Sequence, residues 1–278
     1  MEKSTVKTKR LDWPVIIFMT IVHGIALYSL QFFSLQNLAI AFVLYIATAG
    51  GITLGYHRLF THRAFKVPKW LEYIIGIMGT LAYQGGIREW VAHHRMHHAF
   101  SDSERDPHDA SQGFWHSHMG WILTYNDEVD DMATLKKYAR DIESDRFLRF
   151  LSSDYTVFFL QVLLGVLLFG IFGLEAMLWG IFVRLVFVYH VTWFVNSAAH
   201  KFGYRTYDVN DRATNCWWVG LLALGEGWHN NHHANGSCAH FGHKWWELDL
   251  TFQAIRVLKF LGLATDINLK GWPRATQP

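Results

Sequence analysis

The sequence predicts an all-α integral membrane protein: four transmembrane helices in two hairpins plus an interfacial helix, capped by a cytosolic helical domain. Three observations carry this. Of 278 residues, 51% are hydrophobic and only 17% charged, where soluble domains carry about a quarter. The apolar residues collect in long runs instead of spreading evenly. The 17 histidines concentrate in the polar stretches that follow those runs.

Taken in order, residues 1–13 read as a solvated cytosolic tail with Lys3, Lys7, Lys9 and Arg10. Residues 14–56 form the first membrane hairpin. Its first run, Val15 to Phe33, is long for a signal peptide and has no cleavage site. A polar turn of Ser34, Gln36 and Asn37 leads to the second run, Leu38 to Leu54. Residues 57–155 are the first cytosolic part. Within it Trp70 to Tyr83 is apolar, but at roughly 14 residues it falls short of the ~20 that a spanning helix needs. It reads as an interfacial or re-entrant helix. Residues 156–197 form the second hairpin, Val157 to Gly173 and Leu174 to Phe194, and residues 198–278 the second cytosolic part. The whole, 1–278, is one domain. Parity puts both polar parts and both termini on the side of the basic N-terminus, which the positive-inside bias makes the cytoplasm. A net charge of +2 gives no case for nucleic acid, and Cys216 and Cys238 read as two reduced thiols.

Three histidine clusters stand out: His57 with His62, at the end of the second run; His94, His97 and His98; and His229, His232 and His233. Residues at i, i+3 and i+4 share one face of a helix. Two HxxHH faces opposed in a bundle can therefore surround two metals with imidazoles. His200, at the end of the last run, is a further candidate ligand by its place. So many imidazoles without a thiolate cluster exclude iron–sulfur and exceed one zinc site. Neither box embeds the Glu-x-x-His pair of soluble di-iron carboxylate bundles. Clusters bordering a bilayer rich in unactivated C–H bonds point to iron, because zinc performs no redox chemistry. A histidine-rich metal transporter is the alternative of a different class, but transport predicts ligands at the bilayer midplane. Here they follow the runs, on one side.

The stretches GYHRLFTH, WVAHHRMHHAFSDSERDPHD, WFVNSAAH and GEGWHNNHHA resemble the motifs of membrane fatty acid desaturases of the Δ9 type, over residues 45 to 255. The resemblance implies that two iron ions are the cofactors. One would be held by His57, His62, His98, His229 and His233. The other would be held by His94, His97, His200 and His232, with Asn196 reaching it through water. It further implies removal of two hydrogens from a saturated fatty acyl chain, lipid- or CoA-linked, to leave a cis double bond, with dioxygen reduced to water. A related di-iron hydroxylase or ketolase is the runner-up. By the same resemblance, Gln84, Trp90, Thr192 and Trp193 lie near the bend of an acyl tunnel, and Tyr45 and Ala49 near its methyl end. The sequence is similar to the cyanobacterial and plant-type branch, whose members often act on acyl chains within membrane lipid. No haem-binding domain is fused, so electrons would come from a separate protein, ferredoxin or cytochrome b5. Arg95, Arg105, Lys136 and Lys137 are candidates for docking it. The remaining eight histidines, His93 and His108 among them, read as packing residues.

Overall fold

The structure is a computed structural model that describes residues 10–271, so the tail lysines Lys3, Lys7 and Lys9 lie outside it. It is mostly helical. In chain order the helices are α1 (Trp13–Ser29), α2 (Leu35–Gly50), α3 (Lys69–Thr80), α4 (Ile87–Phe100), α5 (Phe114–His118), α6 (Met132–Tyr138) and α7 (Arg140–Ser144). They continue as α8 (Arg146–Leu151), α9 (Asp154–Phe172), α10 (Leu174–Leu178), α11 (Arg184–Ser197), α12 (Trp217–Leu222), α13 (His229–Ala234) and α14 (Leu250–Phe260). Two short strands, β1 (Arg10–Leu11) and β2 (Thr124–Tyr125), pair antiparallel.

Among the described residues, four continuous helical stretches are long and apolar enough to cross a membrane: Trp13–Phe32, Leu35–Thr61, Asp154–Phe172 and Leu174–His200. Local chemistry sets their starts. The Asp12 carboxylate accepts the Val15 N–H at 3.2 Å, and Ser34 Oγ accepts the Asn37 N–H at 3.1 Å, each satisfying an orphan donor of a first turn. Gly173, at φ +87°, supplies the left-handed residue that turns α9 into α10. The outward faces carry Leu27, Phe33, Leu35, Val43, Phe158 and Ile171 in exposed positions. A helix apolar on its outer face suits a lipid solvent.

The last long helix is the hub. It comprises α10, a π-helical turn Trp179–Val183, and α11, and α1, α2 and α9 all pack against it. Thus α1 meets the bundle chiefly through the last helix and not through α2, its neighbour in sequence.

The second long helix does not end where its apolar run ends. It continues as a π-helix over Gly51–Thr61. Helix α3 packs antiparallel beside that segment. A Cβ placed on Gly51 would lie 2.2 Å from the Gly79 nitrogen, so only paired small residues let the two backbones come so close. A turn over residues 81–86 then sends the chain back as α4, which packs on the same π-helical segment. Cys216 and Cys238 are both buried and are not joined by a disulfide.

Candidate metal centre

Nine imidazoles converge from four segments. The π-helix brings His57 and His62. Its i→i+5 bonding brings the two rings together edge to face, with centroids 4.8 Å apart, and the His62 N–H reaches the His57 carbonyl at 3.1 Å. In an α-helix a spacing of five would point them apart. Helix α4 brings His94, His97 and His98, the short turn after α11 brings His200, and α13 brings His229, His232 and His233.

The ring nitrogens sort into two sets. His57, His62, His94, His98 and His232 form one, and His97, His200, His229 and His233 the other; within each, the ligand atoms lie within 4.8 Å of one another. In the first set the Nε2 atoms of His57 and His232 are 3.1 Å apart, those of His62 and His94 3.2 Å, and those of His98 and His232 2.9 Å. In the second, the His97–His233 pair is at 3.2 Å and the His200–His229 pair at 3.1 Å. Imidazoles about 2.1 Å from one ion, at right angles, would stand at about this separation. The donors present therefore fit two metal ions.

The division corrects the one the resemblance implied. His94 and His232 join the set of His57, while His229 and His233 join that of His97. The reason is helical. Residues at i and i+4 stay together, and the residue at i+3 swings to the neighbouring set. Helix α4 gives His94 and His98 to one set and His97 to the other; α13 gives His229 and His233 to the second and His232 to the first.

Carboxylates hold the outer ring nitrogens. Glu226 lies 2.5 Å from His57 Nδ1, Asp106 2.8 Å from His97 Nδ1 and Asp211 2.7 Å from His233 Nδ1; Asp102 faces His200 Nδ1 from 3.6 Å, beyond hydrogen-bond reach. Such partners fix ring orientation and leave Nε2 as the ligand atom. The sequence reading missed all four. Glu226 is held in turn by the buried Arg58 guanidinium, which also pairs with Asp249 at 2.9 Å.

The residues between the histidines anchor the helices from behind. Asn230 accepts the Thr206 and Tyr207 N–H groups, and Asn231 donates to the Phe241 carbonyl and to Glu247. Arg95, a candidate for donor docking, instead donates to the carbonyls of Phe60, Thr61 and Tyr138 and pairs with Asp141. It ties α4 to the π-helix. His93 and His108 are also more than packing. His93 pairs with Asp130 at 3.0 Å, His108 lies beside Asp106 and His97, and both line a cavity.

Burial first, and neighbouring imidazoles second, push His62, His94, His97, His229, His232 and His233 well below their ordinary value. The same causes, with burial the larger, bring His98 down to about 3. The neutral ring is the form that binds metal. Because these folded-state values lie below the unfolded value of about 6.5, the unfolded chain binds more protons once the pH falls beneath it. The stability contribution is present above about pH 6.5 and is lost as the pH drops towards the folded values. Thermal unfolding of the metal-free protein should therefore shift downward between pH 7.5 and 5.5; a flat profile would contradict this.

A cavity of about 620 Å3 runs from Asp12, Tyr125 and Asp154 inward to His94. Of the tunnel candidates, Gln84, Trp90, Thr192 and Trp193 line it, and Asn196 is on the same wall. Tyr45 and Ala49 do not. They are packed in the core, because the Tyr45 hydroxyl donates to the Leu222 carbonyl and its ring meets Phe187 edge-on.

The fatty acid desaturase family model matches residues 34–260. The chain is 54% identical to an sn-1 stearoyl-lipid 9-desaturase of Synechocystis sp., over 92% of this chain and 80% of the relative. It is 47% identical to an sn-1 stearoyl-lipid 9-desaturase of Anabaena variabilis, over 97% and 98%. It is 42% identical to a chloroplastic palmitoyl-monogalactosyldiacylglycerol delta-7 desaturase of Arabidopsis thaliana, over 94% and 70%. With nine histidines gathered into two sets beside a cavity, and a family match spanning most of its length, the chain belongs to the fatty acid desaturase family.

Proposed function

We propose that this protein is a membrane-bound Δ9 desaturase of lipid-linked saturated acyl chains, with two iron ions held by the histidine sets and dioxygen as oxidant. The observation that carries the reading is the junction of cavity and centre. His94, one of the five-histidine set, is also on the cavity wall, beside Trp90 and Trp193. Its relatives are named for stearoyl- and palmitoyl-lipid 9-desaturation.

Two iron ions, when bound, would activate dioxygen to take hydrogen from an unactivated methylene, which no side chain can do. The chain's own residues position the substrate. Trp90 stacks on His94 with centroids 5.1 Å apart, and its indole N–H donates to Gln84 at 3.4 Å. Gln84 donates to Thr192 Oγ1 at 2.9 Å. These linked groups bend the acyl path beside the centre, so that one pair of methylenes faces it. Holding reacting atoms in place is worth several orders of magnitude in rate, and the aromatic walls exclude water. Asn196, on the cavity wall, would reach one of the two ions through water.

Among the described residues, the cavity wall carries Asp12, Glu89, Asp130 and Asp154 and no lysine or arginine. That lining favours a carrier without clustered phosphates, a membrane glycerolipid over acyl-CoA. The four long helices cross the bilayer as two hairpins, with α3 re-entrant beside the π-helix. Termini and centre face the cytoplasm, where a separate carrier, ferredoxin or cytochrome b5, delivers electrons. The assembly of the centre from the like ends of the second and fourth long helices supports this.

Expression in a host lacking unsaturated lipids, followed by fatty-acid profiling of its glycerolipids, tests the reading. Monoenes with the bond at carbon nine are expected. Hydroxy acids without new double bonds would point to a hydroxylase instead.

A further inference from the structure

We infer that Arg184, which does not touch the cavity, sets the position of the double bond by clamping the turn that carries Tyr83 and Gln84. This rests on the cavity being the acyl path. Helix α3 stops at Thr80, leaving carbonyls without intrahelical partners. One of them, Leu81 O, accepts Arg184 Nη1 at 2.6 Å and Gln161 Nε2 at 2.7 Å. The two donors are themselves linked, Arg184 Nη2 to Gln161 Oε1 at 3.3 Å, and Arg184 Nε is fixed on Gly180 O at 3.0 Å. Two residues on, the Tyr189 hydroxyl donates to Tyr83 O at 3.0 Å.

The turn needs holding from outside. Tyr83 sits at φ +55° and Gly85 at φ +88°, and a bulky residue in the left-handed region is strained. Arg184 is 1% exposed, and its hydrogen bonds go to carbonyl and amide oxygens, not to a carboxylate. Ionisable residues inside apolar helices are costly, and where they occur they pair with backbone carbonyls and mark functional sites. Here the cation meets the negative end of the α3 dipole. From Leu81 it is three residues to Gln84, whose amide fixes Thr192 and Trp90 at the bend. Releasing the clamp lets that wall drift relative to His94, and a different methylene comes opposite the centre.

The test compares Arg184→Lys and Gln161→Leu with the unaltered chain in the same unsaturated-lipid-deficient host. Lysine keeps the charge but not the planar fork; leucine removes one donor and keeps the guanidinium. The readouts are the positional isomers of the monoenes and the iron content of the purified protein. Misplacement by ~1 Å costs about 100-fold at a reacting centre. Minor isomers should accordingly rise about tenfold in share, with iron retained. A purely structural role would lower yield and total product and leave the isomer ratio alone. An unchanged ratio in either variant that accumulates with its iron overturns the inference. Gln84→Ala, on the wall itself, serves as the reference: if it too leaves the ratio unchanged, the acyl-path reading fails, and not the clamp alone.

Discussion

Replacing His232 or His97 with alanine should abolish desaturation and lower bound iron. His232 is fully buried, and its Nε2 lies 3.1 Å from that of His57 and 2.9 Å from that of His98, at the middle of the five-histidine set. His97 belongs to the smaller set, where its loss leaves three imidazoles. The two variants should therefore differ in iron. His97→Ala falls towards one ion per chain, while His232→Ala, with four imidazoles left, retains more metal yet is equally inactive. Iron analysis of purified protein beside product formation in the deficient host makes the comparison. Full activity in both variants would remove the assignment.

Glu226→Gln should be nearly as damaging without touching a ligand. The carboxylate holds His57 Nδ1 at 2.5 Å and the Arg58 guanidinium at 3.0 Å, all three groups buried. Loss of such a partner lowers metal affinity or activity by about 10–100-fold. Glu226→Ala adds a second penalty, since removing one member of a buried ion pair costs about 3–5 kcal/mol. Asp249 still pairs with Arg58, which places the expected loss at the lower end. Iron affinity and thermal unfolding in detergent separate the two effects. A Glu226→Gln protein with normal affinity would mean that His57 is oriented by something else.

The histidines were legible in the sequence because their spacing is a local property of one helix. The HxxHH boxes do lie on α4 and α13, and the apolar runs do form four long helices. Their division between the sets was not legible. A face shared by i, i+3 and i+4 is wide enough to be split, and the split depends on how α4 and α13 oppose each other. The carboxylates were hidden for a related reason. Asp102 and Asp106 stand within a quoted motif, as does Glu226, but nothing in the spacing says that a given acid meets a given Nδ1. The i→i+5 geometry of residues 51–61 was invisible too, although the spacing of His57 and His62 by five was its one available sign. Tyr45 and Ala49 were misplaced because a position along a helix does not tell whether it faces a cavity or, as here, the packed core against Phe187 and α12.

The Arg58 triad also constrains the order in which this protein can be made. Arg58 lies near the end of a helix made early in synthesis, while Glu226 and Asp249 emerge from the ribosome some 170 and 190 residues later. Chains fold from the N-terminus as they lengthen. Over that interval the guanidinium, and His57 beside it, lack the carboxylate partners that the folded chain gives them. The centre thus cannot close until the last quarter of the chain arrives. A nascent chain halted before Glu226 is expected to expose an open half-site that lacks the three histidines of α13.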